Sequence, residues 1–298
     1  SDFAVNFYVE TALLEGAEDC YVLCTKTLYD ADGNVTGRET RKLSGITEND
    51  LTVFAFRSIA ATEMGSELTA TLYTVKGGEC FASEPLTYSV QRYAQNMLAR
   101  TDDATLRTLL VDMLNYGALA QDYFGYNTAH PVNAVLTERQ QTYGTKTTPE
   151  LRSYKERIEN ENCPIRVISC TLELRERVTI RYTFDLSAYG GAVTDLQLVI
   201  AWRDENGAAQ SATIGGADFV QTAGRCTVSF DGLNAAQMRT VCTAELHEKQ
   251  NDRLVSDTVR YSIESYAASK SADPDSLLRE LTVAMLRYGD ATAAFCAK

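Results

Sequence analysis

The 298-residue sequence has little of what most catalytic chemistry needs. It holds two histidines and one tryptophan. His130 precedes Pro131, and His247 sits in a strand-like run; neither lies within a few residues of a cysteine or of the other. That spacing excludes the usual zinc patterns, and no C-x-x-C occurs. A Ser-His-Asp or Cys-His triad would have to use one of these two histidines, and no G-x-S-x-G elbow is present. There is no phosphate-binding G-x-x-x-x-G-K-[ST] loop and no Rossmann glycine fingerprint; "AYGG" (188–191) and "TIGG" (213–216) read as loop glycines. Basic residues are outnumbered: 28 Lys and Arg against 40 Asp and Glu, for a net charge of −12. A nucleic-acid binder needs a basic surface, and an anionic membrane would repel this chain. No apolar run approaches the ~20 residues of a membrane span. The first residues contain no basic segment followed by an apolar run, so no signal peptide is read there. The expectation is a piece of a longer protein whose other parts carry a signal or an anchor. No metal, no cofactor, no nucleic-acid partner and no membrane insertion are expected.

What the chain does have is a repeat. "DADGNV" (30–35) lies on "DENGAA" (204–209), with Gly33 on Gly207. "FAFRSIAATEMGSELTATLY" (54–73) lies on "VSFDGLNAAQMRTVCTAELH" (228–247). "YSVQRYA" (88–94) matches "YSIESYA" (261–267), and Met113-Leu114 with Tyr116-Gly117 match Met285-Leu286 with Tyr288-Gly289. Order shared over so long a stretch means two tandem modules rather than a solenoid. Each begins with runs of period two, in which Leu196, Leu198, Ile200 and Trp202 point one way and Gln197 and Arg203 the other. The Asp/Asn/Gly stretches that follow read as hairpin turns. The expected fold is α+β, mainly β. It comprises two antiparallel Ig-like or fibronectin-like β-sandwiches, each followed by a two-helix hairpin. Module one covers 1–128 (sandwich 1–87, hairpin 88–126), with its first strand cut off. An ordered connector, part helical, covers 129–163. Module two covers 164–298 (sandwich 164–260, hairpin 261–298) and has an extra strand-like segment, "IRVISCTLEL" (165–174).

In the hairpins, a short helix is expected over about 89–99, with Val90, Tyr93 and Met97 at helical spacing. A second follows to about Phe124. Thr101 is read as its cap, as Asp273 is in copy two, where Pro274 suits the first helical position. Leu106, Leu109, Met113, Tyr116, Gly117 and Ala120 form the apolar stripe. A mid-helix glycine costs about 1 kcal/mol relative to alanine. Its occurrence at the same place in both copies implies that another backbone or ring passes close there. In the connector, "LTERQQ" (136–141) reads as a short helix and "TTPELRSYKERIENENCP" (147–164) as partly helical.

The eight cysteines suggest free thiols. Cys24, Cys80, Cys242 and Cys296 align with Leu198, Leu254, Leu68 and Phe124, so cysteine stands where the sister copy uses a large apolar residue. Cys163 and Cys170 have no counterpart, and a bridge between them stays open. "DADGN" is only loosely like a calcium loop, because an EF-hand needs Gly and Glu where Val35 and Arg41 stand. Forty carboxylates make chance acid pairs unavoidable, but neither copy shows an unusual polar cluster in apolar sequence. No catalytic residue is assigned.

"YSVQRYAQNML" followed by "LLVDMLNYGALAQDYFGYN" resembles a repeat of large secreted or surface-attached proteins of Gram-positive gut clostridia. In that repeat a β-sandwich similar to a bacterial Ig-like domain precedes a Tyr-rich helical pair. Copy two departs from it, ending "YGDATAAFCAK" without the Tyr-Phe-Gly-Tyr close. The resemblance implies an extracellular or cell-surface, multidomain protein. The expected role is a non-enzymatic, monomeric adhesion module binding a host protein such as immunoglobulin or mucin. A carbohydrate-binding module and a structural spacer are the alternatives. The weak site candidates are Tyr29, Asp30, Asp32 and Asn34 at a hairpin tip. For a sugar platform, Tyr29, Tyr143, Tyr154 and Tyr189 are free to be exposed, whereas Trp202 alternates with core residues.

Overall fold

Short polar residues decide where the chain reverses. In the computed structural model, which describes residues 3–174, 177–273 and 275–298, the Asn34 amide donates to Asp30 Oδ1 at 2.8 Å. Gly33 there takes φ +81°. Asp204 Oδ1 accepts from the amides of Asn206 and Ala208 at 3.0 and 2.9 Å, with Gly207 at φ +78°. An aspartate that closes the loop and a glycine free of the Cβ penalty make both hairpins.

The chain divides into two units, residues 2–144 and 145–298. The stretch read as a connector is therefore shared: 129–144 belong to the first unit and 145–163 to the second. The first unit contains β1 (Phe3–Glu10), β2 (Asp19–Tyr29), β3 (Val35–Ser44), β4 (Ile46–Glu48), β5 (Leu51–Ile59), β6 (Leu68–Lys76), β7 (Glu79–Ala82) and β8 (Leu86–Tyr88). Then come α1 (Val90–Arg100), α2 (Ala104–Phe124) and α3 (Glu138–Gln141). One antiparallel sheet has the order β1-β5-β4, and the other has β3-β2-β6-β7 with β8 also on β6. The second unit contains β9 (Glu156–Ile158), β10 (Arg166–Glu173), β11 (Thr179–Asp185), β12 (Leu196–Arg203), β13 (Ala209–Gly215), β14 (Val220–Thr222), β15 (Arg225–Phe230), β16 (Cys242–Glu248), β17 (Arg253–Leu254) and β18 (Thr258–Tyr261). The helices α4 (Ile263–Lys270) and α5 (Ser276–Cys296) close it. Its sheets run β10-β11-β15-β14 and β13-β12-β16-β18-β9, with β17 on β16. The fold is α+β and mainly β. Alternation fills each core: Leu196, Leu198 and Ile200 are fully buried, as are Cys24, Phe54 and Phe56 in the first unit.

Two helix caps differ from expectation. Ser89 caps α1, but Thr101 ends that helix rather than starting the next. Asp103 caps α2, accepting from the Thr105 and Leu106 amides at 2.9 and 3.3 Å. In copy two Asp275, not Asp273, caps α5 through the Leu278 amide at 3.1 Å; Pro274 lies outside the described residues. The residues expected as caps each hold the amide of the true one. Asp103 N donates to Thr101 Oγ1 at 3.1 Å, and Asp275 N donates to Asp273 Oδ1 at 2.9 Å. A side-chain turn thus displaces each cap by two residues.

The burial of α2 is wider than a stripe. Leu110, Val111, Asp112, Met113 and Leu114 are all buried, whereas Leu106 and Leu109 are half-buried. Residues after the helix cover more of it: a Cβ on Gly144 would sit 2.9 Å from Val111 Cγ1 and 3.0 Å from Asp112 Oδ1. The segment 136–141 does contain α3, closed by Thr137 and Gln140. The segment 147–164 is not helical. It runs extended into β9, which pairs with β18. Pairing partners override a local helix preference of a few tenths of a kcal/mol per residue.

The mid-helix glycines meet a tight turn. A Cβ on Gly117 would sit 2.9 Å from Met64 Sδ, 2.9 Å from Val132 Cγ1 and 3.1 Å from the Ala61 carbonyl oxygen. On Gly289 it would meet the Ala235 carbonyl at 3.0 Å and Met238 Sδ at 3.0 Å. The carbonyls belong to one-turn 3-10 segments, Ala61–Glu63 and Ala235–Gln237. Each closes on itself: the Ala60 amide donates to Glu63 Oε2 at 3.0 Å, and the Asn234 amide to Gln237 Oε1 at 3.1 Å.

The turn's carboxylate also explains a buried lysine. Lys26 is 4% exposed and donates to Glu63 at 2.8 and 2.9 Å, with Glu39 at 3.2 Å. Burial pulls its pKa down, but the Glu63 hydrogen bond and the two carboxylates outweigh this and hold it above the usual lysine value. In copy two the corresponding residues are Ile200 and Gln237, apolar and neutral together.

Two stability measurements test this packing. Gly117→Leu should lower unfolding free energy by at least the ~1–3 kcal/mol of overpacking, beyond any propensity gain; a rise in chemical denaturation would refute the close approach. Lys26→Ile alone should cost roughly 3 kcal/mol, because it leaves Glu63 under-compensated. Combined with Glu63→Gln it should return to within about 1 kcal/mol of the parent, and a double-mutant cycle reads the coupling.

Candidate functional site

The hairpin candidates come together at one tip, but half of that tip is engaged. The Asp30 carbonyl accepts the Asn127 amide at 2.8 Å, and the Ala31 carbonyl accepts the Thr128 hydroxyl at 2.8 Å. The Tyr29 ring meets Tyr126 edge-on at 6.5 Å. A Cβ on Gly33 would lie 2.7 Å from the His130 ring. Hydrogen bonds from the Asn34 side chain and backbone hold the Asp30 carboxyl below the usual aspartate value. Tyr29 and Asp30 thus pin the turn to residues 126–130, and Asp32 and Asn34 are the two that face solvent.

A second candidate lies in the second unit. A cleft of about 600 Å³ is lined by Glu150, Arg152, Tyr154, Arg239, Val241, Arg260 and Glu264. Its floor is an ionic network. Arg239 follows the 3-10 turn and grips Asp290 of α5 with two bonds, Nε to Oδ1 at 2.6 Å and Nη2 to Oδ2 at 2.8 Å. Its Nη1 donates to Glu264 and, at 3.0 Å, to the Glu150 carbonyl. Glu264, in the first turn of α4, is buried and also accepts the Arg152 amide at 2.9 Å. The Asp290 bond, ahead of the Glu264 charge, raises the Arg239 pKa further, so that guanidinium is permanently charged.

This network holds an extended arm in place. The Tyr154 amide donates to Ser265 Oγ at 2.7 Å, and Ser265 shares a 2.9 Å bond with Ser262 Oγ. Arg157 and Arg166 both pair with fully buried Asp257, at 2.8 and 2.6 Å. Arg152 and Tyr154 of this arm line the cleft together with Arg260 of β18. Arg152 and Arg260 are bound to exposed carboxylates at 3.3 and 3.1 Å, contacts that water competes with. The rim can therefore exchange those partners for an anionic group, with the Tyr154 ring as an apolar wall.

The sequence reading missed this cluster. It held that neither copy carries an unusual polar group in apolar sequence, and the second copy does. Arg239, Glu264 and Asp290 stand where copy one has Gly65, Gln91 and Ala118. The signal was the shared departure of three aligned positions toward charge. Each is unremarkable alone, and only folding brings them together.

The other candidates are placed as follows. Trp202 packs on Phe230 at 5.3 Å, so it is not a sugar platform. Tyr29, Tyr143 and Tyr189 are half-buried, and Tyr154 is exposed. All eight cysteines are free, Cys163 and Cys170 included. Burial pushes the Cys24 and Cys242 thiols up to about 12 and Cys226 to about 11, so they stay protonated and inert. Among the described residues, no group of three or more His, Cys, Asp and Glu could hold a metal ion, and no helix is long and apolar enough to cross a membrane. Compared with known proteins, the chain matches no family model and no curated protein.

Arg239→Ala should release the arm. The expected cost is roughly 3 kcal/mol, the low end for breaking a buried pair, because water reaches a third of the Arg239 side chain. Hydrogen exchange should quicken at the Arg152 and Tyr154 amides first; unchanged protection there would show that the network does not hold the arm.

Proposed function

We propose that this chain is a non-enzymatic binding segment of a secreted or surface-attached bacterial protein. In this reading each unit is an Ig-like or fibronectin-like sandwich with its helical hairpin. The partner is a host protein of the immunoglobulin or mucin class. The observation that carries the reading is the cleft rim. Three arginines and two glutamates line one opening; Arg239 is engaged in its floor, and Arg152 and Arg260 pair only with exposed carboxylates. Arg and Tyr, the types presented at this rim, are enriched among the residues that dominate protein recognition sites. Arginine also suits the carboxylates and sulfates of an acidic mucin surface. The resemblance to clostridial surface repeats agrees with this setting.

A carbohydrate-binding reading rests on one observation, the exposed Tyr154 ring beside those arginines. The two readings separate with purified ligands. Immobilised chain should retain immunoglobulin or mucin saturably, at micromolar affinity or better, and Arg152→Glu with Arg260→Glu should weaken retention about tenfold or more. Equal binding of mucin and of its released glycans would favour the carbohydrate reading. No retention of either protein would leave the spacer role and end the proposal.

A further inference from the structure

An open sheet ends in strands whose outer backbone groups are unpaired, and folded chains guard such edges with charge, brevity or irregularity. Among the described residues, the edge strands longer than three residues are β1, β3, β7, β10 and β13. β1, β7 and β10 carry charge at their ends, and β3 carries Arg38, Glu39, Arg41 and Lys42. β13 reads AQSATIG, with no charge, no proline and unbroken register along β12.

The loss of charge belongs to the second copy alone. Ser211 lies opposite Ala201 as Arg38 lies opposite Thr27, and Ile214 lies opposite Leu198 as Arg41 lies opposite Cys24. By the same register Ala212 stands for Glu39 and Gly215 for Lys42. The strand still reaches water: Ser211 and Thr213 are exposed, and Ala212 and Ile214 are half-buried. The opposite margin of this sheet is guarded in the ordinary way, since β9 has three residues and two of them are Glu156 and Arg157.

We infer that β13 pairs with β13 of a second copy of this chain, antiparallel about a two-fold axis at Ala212. The charges select that occupant. At net charge −12, two copies repel across most of their surface, and along this strand they meet with no charge on either side. The two-fold sets Ser211 opposite Thr213 on the solvent face and Gln210 opposite Ile214 on the other. Hydroxyl pairs across strands already recur inside this protein: Thr25 with Thr40 at 2.9 Å, and Thr69 with Thr87 and Thr183 with Thr227 at 3.2 Å. An isologous contact closes on itself, so association stops at the dimer. One pair of short strands is a small interface, so the dimer is weak and reversible.

Pairing there joins the order β13-β12-β16-β18-β9 to its copy as one continuous sheet. From one Arg260 strand to the other is three strand spacings in each copy and one between them, about 34 Å. With a cleft beside each β18 the dimer is bivalent, a consequence that rests on the binding role proposed for the cleft; the pairing itself does not.

Sedimentation of the whole chain at up to about 1 mM should show a monomer–dimer equilibrium. It should tighten from low to physiological salt as repulsion is screened. Hydrogen exchange should gain protection at β13 as the chain is concentrated. Ser211→Arg with Thr213→Lys, which puts charge back on the edge, should weaken dimerisation about tenfold or more. Both sites are exposed, so the unfolding midpoint should stay at the parent value. The variant also lowers the net negative charge, so general repulsion would move association the other way, and only a local contact gives the loss. Thr36→Lys on the already charged β3 should not weaken the dimer. A monomer at every concentration would overturn the inference. So would a dimer that the double variant leaves intact, or protection that appears at another edge instead of β13. None of these readouts uses a ligand, so they stand apart from the retention test of the cleft.

Discussion

Both units hang on one contact, a helix glycine set against the carbonyl of a self-closing 3-10 turn. Gly117 over Ala61 and Gly289 over Ala235 bring a helix within side-chain-free distance of the loop that follows β5 or β15. That approach fixes where the helical hairpin sits on its sheets. It also sets where the next residues fall: the amides of Gln91 and Glu264 each donate to the carbonyl of the methionine after the turn, at 2.9 and 3.1 Å. The ~1 kcal/mol that each glycine costs its helix is repaid by methionine packing and a satisfied helix start.

Around that fixed joint the copies differ in coupled sets. Lys26 with Glu63 in one becomes Ile200 with Gln237 in the other. Gly65, Gln91 and Ala118 become Arg239, Glu264 and Asp290. Neither exchange works one residue at a time. A buried lysine without Glu63, or a buried Glu264 without Arg239, would leave a charge in a poorly solvated place. The same rule explains why cysteine trades freely with leucine: Cys24 and Leu198 are both fully buried and bring no charge to compensate.

The joint was legible in the sequence because it is local and repeated. Period-two runs, Asp/Gly turns and the doubled Met-Leu-x-Tyr-Gly located strands, hairpins and helices, and the glycine announced a close approach. What could not be read was whatever depends on a distant partner. Residues 150–158 look helical in isolation and become an arm and a strand because Glu264, Ser265 and β18 accept their amides. Thr101 and Asp273 look like caps, yet the aspartate two residues later sits better for the helix amides. The cleft joins residues from the arm, the loop after the 3-10 turn, β18 and α4. No window of sequence contains it, and aligning the copies reveals only that those positions depart together.

This division of labour bears on function. The residues that the two copies share are core, turn and joint, which any member of the repeat needs in order to fold. The residues that differ form compensated sets: Lys26 with Glu63 against Ile200 with Gln237, and Arg239 with Glu264 and Asp290 beneath the arm of the second unit. At the hairpin tip Asp30 and Tyr29 are committed to residues 126–130, which leaves Asp32 and Asn34 as the exposed pair. The charged floor beneath the arm can differ between the copies without disturbing the joint. The glycine joint is common to both copies, because the packing constraint and the charged network occupy separate residues.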